Sequence, residues 1–529
     1  MQDIDAKRSW TASLASLGNP RVIAMLFLGL SAGLPILLIF SSLSLWLREA
    51  GLSRSSVTMF SWAALGYSFK FVWAPLIDRL PVPVLTKAMG RRRAWILVSQ
   101  IAIIVAISWM AFTNPTSGGS SLTMMAMAAV LLGFSSATQD IVIDAYRIES
   151  ADDDLQAMLS ATYIAGYRIG MLIAGAGALW LADFFGSTSD AYLYDAWRKA
   201  YLWMAAAMLI GVATTLVIPE PERGRKPDRG EHDTGHYLRF LLLFVLAVAG
   251  FVLIFVLSGD AVDAARASLA EAFGNRALAG FLVETVRLAL AIGIAGAVAY
   301  FGVKSGVADR EMVVDSYVEP VRDFFRRYGM GLAWLLLALI GLYRISDIVL
   351  GVIANVFYQD IGFTKSEIAG VVKTFGLFMT IAGGFIGGIL AVRYGVMRVL
   401  FLGALLTVVT NLLFILLNET GKDITLLYLV ISADNITAGI ASAAFVAFLS
   451  SLTNVSFTAM QYAIFSSLMT LIPKIIGGYS GTMVDSVGYT NFFLIAAGLG
   501  LPVLVLVAIA GRKLKVKDES AAADAGAPA

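Results

Sequence analysis

Long apolar runs separated by short polar gaps dominate this chain. Fourteen such runs fall at about 22–47, 57–78, 94–113, 122–147, 157–182, 200–218, 237–258, 280–303, 331–358, 366–391, 396–417, 424–449, 457–484 and 490–511. A hydrocarbon core about 30 Å thick takes about 20 apolar residues per helix, so each run predicts a membrane-spanning helix. Strands of a membrane barrel would instead show alternation over about ten residues. Small residues at helical spacing, Gly29-x-x-x-Gly33 and Gly384-x-x-x-Gly388, predict close contacts between helices.

The gaps carry an orientation signal. Basic residues collect in four gaps of one alternating set: Arg79, Lys87 and Arg91-Arg92-Arg93, then Arg223, Arg225, Lys226 and Arg229, then Arg322, Arg326 and Arg327, then Arg393 and Arg398. The tail adds Arg512, Lys513, Lys515 and Lys517, whereas the gaps at 114–121 and 485–489 hold no Lys or Arg. Basic loops stay on the cytoplasmic side. With an even helix count, both termini are predicted to be cytoplasmic, and 512–529 is predicted to be a disordered tail.

A weak repeat divides the runs into two sets of six. Trp73-Ala-Pro-Leu-Ile-Asp78-Arg79, followed by Gly90-Arg91-Arg92-Arg93, lies between the second and third helices. Gly387-Gly-Ile-Leu-Ala-Val-Arg393-Tyr-Gly395-Val-Met-Arg398 lies at the matching place in the second set. Two parallel six-helix halves resemble the layout of the major facilitator superfamily. The predicted fold is an all-α polytopic membrane protein. It has a cytoplasmic segment at 1–20, one bundle at 21–220, an insertion with two extra helices at 221–314 and a second bundle at 315–511. The insertion contains an amphipathic link at 259–279, with Glu284 and Arg287 one turn apart in its second helix. That pair reads as a peripheral spacer.

Composition narrows the function. Of the 529 residues, 58% are apolar and 14% charged, which leaves too little polar surface for a soluble protein of this size. There is no Cys, and the two histidines, His232 and His236, share one polar loop, so thiolate chemistry, a histidine triad and a zinc site are not expected. The chain lacks a Gly-x-x-x-x-Gly-Lys-Ser/Thr loop, a Gly-x-Ser-x-Gly elbow and His-Glu-x-x-His. The reading is therefore a carrier and not an enzyme, with no cofactor, no metal, no nucleic-acid partner and a monomeric state. The first 20 residues lack an apolar core, so no cleaved signal peptide is expected.

Ionisable groups at membrane depth are costly and face a cavity or a partner. The candidates that would line a cavity between the halves are Lys70, Tyr67, Gln139, Tyr167, Arg168, Tyr343, Arg344, Asn435, Gln461 and Lys474. The basic members would hold an anionic substrate, with one of Asp140, Asp347 and Asp434 taking up a proton. Asp140 comes first among these because Asp144 lies one turn away and repels its charge. The competing arrangement for Asp140 is a salt bridge to Lys70. Asp140, Asp144 and Arg147 share one helix face. Asp144 and Arg147 are expected to form a gating ion pair with the Asp78-Arg79 loop, which continues into Arg91 and Arg92. Lys373 is expected near the outer surface.

Several strings resemble the muropeptide permease (AmpG) family. They include Ser31-Ala-Gly33-Leu-Pro35, Tyr67-Ser-Phe-Lys70-Phe-Val-Trp73-Ala-Pro75, Ser136-Ala-Thr-Gln139-Asp140-Ile-Val-Ile-Asp144 and Gly166-Tyr167-Arg168-Ile-Gly170. Leu342-Tyr343-Arg344-Ile-Ser-Asp347, Lys373-Thr374-Phe-Gly376 and Ala459-Met-Gln461-Tyr-Ala463 extend the resemblance into the second half. It spans about 20–220 and 315–490. It implies a multi-pass protein of the bacterial inner membrane that imports N-acetylglucosaminyl-1,6-anhydro-N-acetylmuramyl peptides for cell-wall recycling. The import would be driven by protons and would feed β-lactamase induction in some bacteria. Tyr67, Trp73, Tyr167 and Tyr343 would offer stacking faces for sugars. The block at about 228–310 departs from compact members of that family. The alternatives are a related carrier for another anionic solute, such as an acyl-CoA or a siderophore-like metabolite, or a membrane sensor or enzyme.

Overall fold

The computed structural model describes residues 18–39, 41–52, 67, 69–151, 153–187, 191–221, 234–274, 276–364, 367–477 and 480–524. Among them there are helices and no strand, and twelve helices are long and apolar enough to cross a membrane. Two of the fourteen expected spans account for the difference. Half of the run at 57–78 lies on residues outside the described set. The run at 280–303 belongs to the helix Arg276–Lys304, which includes residues whose side chains lie outside the described set, and its described apolar part is Ala289–Lys304.

The chain forms two compact units, the larger comprising Met1–Ile77, Pro81–Arg225 and Phe324–Ala529. Its first half contains α1 (Pro20–Ile39), α2 (Ser41–Glu49), α3 (Ala74–Arg79, which runs past the unit's edge), α4 (Arg91–Ala111), α5 (Gly119–Glu149), α6 (Asp153–Leu172), α7 (Ala178–Phe184), α8 (Tyr194–Ala207) and α9 (Leu209–Val217). The smaller unit, Asp78–Leu80 with Lys226–Asp323, contains α10 (Thr234–Leu257), α11 (Gly259–Phe273) and α12 (Arg276–Lys304). The second half of the larger unit contains α13 (Glu319–Leu342), α14 (Ile345–Asp360), α15 (Gly376–Tyr394), α16 (Val396–Thr420), α17 (Ile424–Leu452), α18 (Thr458–Gly477) and α19 (Ser480–Asp524).

Glycine sets the closest helix contact. A Cβ on Gly33 of α1 would lie 2.0 Å from the Tyr167 carbonyl oxygen of α6, and one on Gly166 would lie 1.9 Å from that of Leu26. Backbone therefore meets backbone, as small-residue stripes permit in lipid, where dispersion must replace the hydrophobic effect. Gly33→Leu is expected to destabilise the protein by at least about 1–3 kcal/mol, read as a lower unfolding midpoint in detergent. An unchanged midpoint would mean that the two helices have room to spare. In the second half the stripe is displaced by one residue from the sequence expectation. Gly383 of α15 abuts the Ile436 carbonyl of α17 at 2.1 Å, while an added Cβ on Gly384 meets nothing within 4 Å. Gly388 instead faces Ala161 of α6, at 2.8 Å, and so joins the halves.

The halves repeat two devices. Gly90 (φ 87) and Gly395 (φ 85) both precede the third helix of their half, in backbone that favours glycine. At the far end of each first helix, a carboxylate ties it to the last helix. Glu49 accepts from Trp197 Nε1 at 2.7 Å, and Trp46 stacks on Trp197 with ring centres 5.7 Å apart. Asp360 accepts from the Tyr489 hydroxyl, beside the cluster of Phe357, Phe414 and Phe493.

Within the smaller unit, α10 and α12 form an antiparallel hairpin in which Gly302 and Gly250 admit Leu243 and Val298. The amphipathic link is the helix α11, packed on α12, and Arg287 Nε donates to Ser258 Oγ at 3.0 Å. Arg79 is held in this unit by Asp315, through its carboxylate at 3.6 Å and its carbonyl at 3.2 Å.

Candidate functional site

Three charged clusters occupy the larger unit. The first lies at the arginine-run end. Glu220 accepts from the backbone N–H groups of Arg92 (2.8 Å) and Arg93 (3.0 Å), at the positive N-terminus of α4. Its carboxylate occupies the space where a Cβ on Gly90 would sit, 2.3 Å from Glu220 Cδ, so a side chain at 90 would expel it. Arg92 Nε and Nη2 donate to Glu149 at 2.9 and 2.5 Å, and both side chains are buried. The two glutamates were missed from sequence, although each is an acidic residue at the end of a helix on the same side as the arginine run.

The second cluster follows the shared face of α5. Asp144 takes Arg147 at 3.3 Å and Lys70 at 3.7 Å, so one carboxylate serves two cations. Arg147 is fully buried and reaches into the other half, donating to Ser450 Oγ of α17 at 2.6 Å and lying 5.2 Å from the Tyr462 ring of α18. It also donates to Ser160 at 3.0 Å. One expectation is corrected here and one alternative is set aside. Asp144 pairs with Arg147 and with Lys70, and not with Arg79, which Asp315 holds. Lys70 bridges to Asp144 and not to Asp140, whose buried Oδ1 has no hydrogen-bond partner among the described residues.

The third cluster lies midway along its helices. Arg344 occupies the non-helical junction between α13 and α14, and its Nη2 donates to Asp347 Oδ2 at 2.5 Å. Broken helices at membrane depth are tolerated where they line a cavity. Arg168 of α6 approaches from the other half, close enough for the charges of Arg344 and Asp347 to act on it. Among the described residues it makes no hydrogen bond or ion pair. A π-turn, Ile173–Gly177, follows one turn later, a distortion common at functional sites. Asp434 of α17 is half-buried in the same region, within reach of Asp347 and Tyr358.

The other expected residues divide. Tyr167 is half-buried beside Tyr163, with ring centres 6.1 Å apart, within reach of the charges of Asp140 and Asp144 of the second cluster and of Arg168 of the third. Several of the remainder pack within the scaffold. The Tyr67 hydroxyl meets Ser136 Oγ, Gln139 donates to Ser31 at 3.2 Å, and Trp73 donates to Thr138 at 3.1 Å. Tyr343 donates to the Leu400 carbonyl at 2.9 Å and stacks on Phe445 at 4.4 Å. Asn435 accepts from Thr380 at 2.8 Å, and Gln461 accepts from Arg327 at 3.0 Å and from the Asn454 N–H at 2.7 Å. Lys373 is exposed on the π-helix Ile368–Phe375, and the side chain of Lys474 lies outside the described set. Ser450 and Ser160 carried no sequence signal, since serines are frequent in such helices.

The family model of the Major Facilitator Superfamily matches residues 22–350 and again 335–528. Among curated proteins, the chain is 29% identical to a putative transporter, AmpG 4, of Rickettsia conorii, over 94% of this chain and 98% of that protein. It is also 29% identical to the anhydromuropeptide permease of Escherichia coli K12, over 94% of this chain and 81% of that protein. Among solved structures, the proton:xylose symporter XylE aligns with TM-score 0.56 and 13% identity, over 94% of this chain and 95% of that one. The transporter FucP in its outward conformation aligns with TM-score 0.55 and 12% identity, over 95% and 99%.

Proposed function

This chain belongs to the major facilitator superfamily, and from that premise we propose that it imports anhydromuropeptides across the inner membrane in symport with protons. It is a multi-pass membrane transporter; substrate, direction and coupling are the proposal. Relatives called AmpG transporters and anhydromuropeptide permease share both halves of the chain. The observation that carries the reading is Arg168. An arginine without an ion pair among the described residues, halfway along a membrane helix and within reach of the charge of Arg344 in the other half, is costly unless an anion visits it. A muropeptide brings such anions in its peptide carboxylates, on a sugar-rich body that suits a polar cavity.

The contacts between halves support an alternating-access cycle. Arg147 with Ser450 and Tyr462, and Gly388 with Ala161, join the halves at the arginine-run end. This end is assigned to the cytoplasm, so substrate enters from the periplasm and leaves when these contacts part.

Uptake of labelled anhydromuropeptide by proteoliposomes, with an imposed proton gradient and again by counterflow, tests the proposal. Concentrative uptake is expected with the gradient and exchange without it. Transport of an acyl-CoA in its place would transfer the chain to another anionic solute. The orientation has its own test. Reporter fusions at 79–93, 219–235, 304–329 and the C-terminus are expected to report cytoplasm, and those at 259–279 periplasm. A periplasmic signal at 219–235 would reverse the assignment.

A further inference from the structure

The second and third clusters each hold two cations and two carboxylates, yet they are wired differently. In the second, Lys70 and Arg147 both lie on Asp144, and the charge of Lys70 also acts on Asp140, whereas no cation acts on Asp434. The repulsion that made Asp140 the first choice from sequence is thereby offset. In the third, Arg344 is held by Asp347, which leaves one cation and one carboxylate over. Arg168 has no ion pair among the described residues, nor has Asp434. The charge that acts on Asp434 is that of another carboxylate, Asp347. Elements packed against α17 carry Lys373, Arg168, Tyr167 and Tyr163, but the titratable groups that reach Asp434 are Asp347 and Tyr358.

We propose that the third cluster is a joint site for one carboxylate group of the substrate and one proton. The carboxylate is received by Arg168 beside Arg344, and the proton is carried by Asp434. The inference deepens the proposed transport function and rests on it for the identity of the anion. Its logic is charge balance. With Asp434 protonated, Arg168, Arg344 and Asp347 sum to one positive charge, and a single carboxylate neutralises them. With Asp434 ionised the cluster is already neutral, and an arriving carboxylate would leave a net negative charge in a low-dielectric space. Proton and anion therefore enter together and leave together. The balance is one proton taken up by Asp434 per carboxylate bound, with no covalent bond made or broken.

Two measurements on the purified full-length protein test this. Infrared difference spectra across a pH titration, without substrate, are expected to show a protonated-carboxyl band that Asp434→Asn removes and Asp140→Asn retains. Loss of the band in Asp140→Asn, with retention in Asp434→Asn, would overturn the proposal whatever the substrate is. The second measurement is binding of an anhydromuropeptide tetrapeptide. Affinity is expected to fall about tenfold per pH unit once Asp434 is ionised, by proton linkage. Asp434→Asn should flatten that slope. Arg168→Gln should weaken binding about 10- to 100-fold, with partial rescue in Arg168→Lys, and amidating the peptide carboxylates should remove most of the difference between wild type and Arg168→Gln. An unchanged pH slope in Asp434→Asn would refute the linkage. Absence of muropeptide binding by the wild type would refute the substrate assignment, while the infrared result still decides where the proton resides.

Discussion

Arg147→Ala is expected to lower stability by about 3–5 kcal/mol, the usual cost of removing one partner from a buried ion pair. Arg147 is fully buried and is the closer of the two cations on Asp144, at 3.3 Å against 3.7 Å for Lys70. Its removal leaves Asp144 undercompensated in a low-dielectric interior. It also leaves Ser450 and Tyr462 without the group that joins them to the other half. The measurement is the unfolding midpoint of detergent-solubilised protein, taken beside Asp144→Asn and the double variant. The double variant is expected to recover part of the loss, because the stranded charge is then gone. Strictly additive effects would show that Arg147 stabilises by packing alone. A second consequence separates this role from a local one. Weakening the contacts at the arginine-run end should increase the population open at that end. The natural absence of Cys makes a pair of introduced spin labels across α5 and α18 a clean distance probe.

Arg168→Ala is expected to reduce uptake kcat/KM by about 10- to 100-fold, the loss of one charge-assisted contact of about 1.5–3 kcal/mol, with membrane insertion and abundance unchanged. Lys70→Ala is expected to act in the opposite proportion, affecting stability more than uptake. From sequence the two residues look alike, each a basic group in mid-helix. They differ because Lys70 lies on Asp144, whereas Arg168 makes no such pair. Measured side by side in proteoliposomes, with thermal midpoints for both, an equal loss of uptake would return Lys70 to the substrate-contacting set. Wild-type rates in Arg168→Ala would remove the anion site from the centre of the molecule.

Hydropathy and spacing alone determined that the chain is a helical membrane protein with two related halves. Apolar runs near 20 residues leave few alternatives in a bilayer, and Gly90 and Gly395 were legible as members of the repeat, although their positive φ emerges only in the structure. Which residues would carry charge at membrane depth was legible for the same reason, because such residues are rare in apolar helices. Their pairing was not. Helical periodicity places Asp140, Asp144 and Arg147 on one face but is silent on what arrives from α3's neighbourhood, α17 or α18. Only tertiary packing decided that Lys70 falls to Asp144, that Ser450 completes Arg147, and that Arg79 goes to Asp315 in the smaller unit. A side-chain ion pair forms or fails over a few ångströms, a distance set by how the helices cross and not by how residues are spaced along any one of them. The same limit explains the displaced stripe of α15, where the sequence marks Gly384 and Gly388 as readily as Gly383 and Gly387. Rotating a helix by one residue turns its face by about 100°, at 3.6 residues per turn, and only the neighbour α17 determines which pair of glycines it meets.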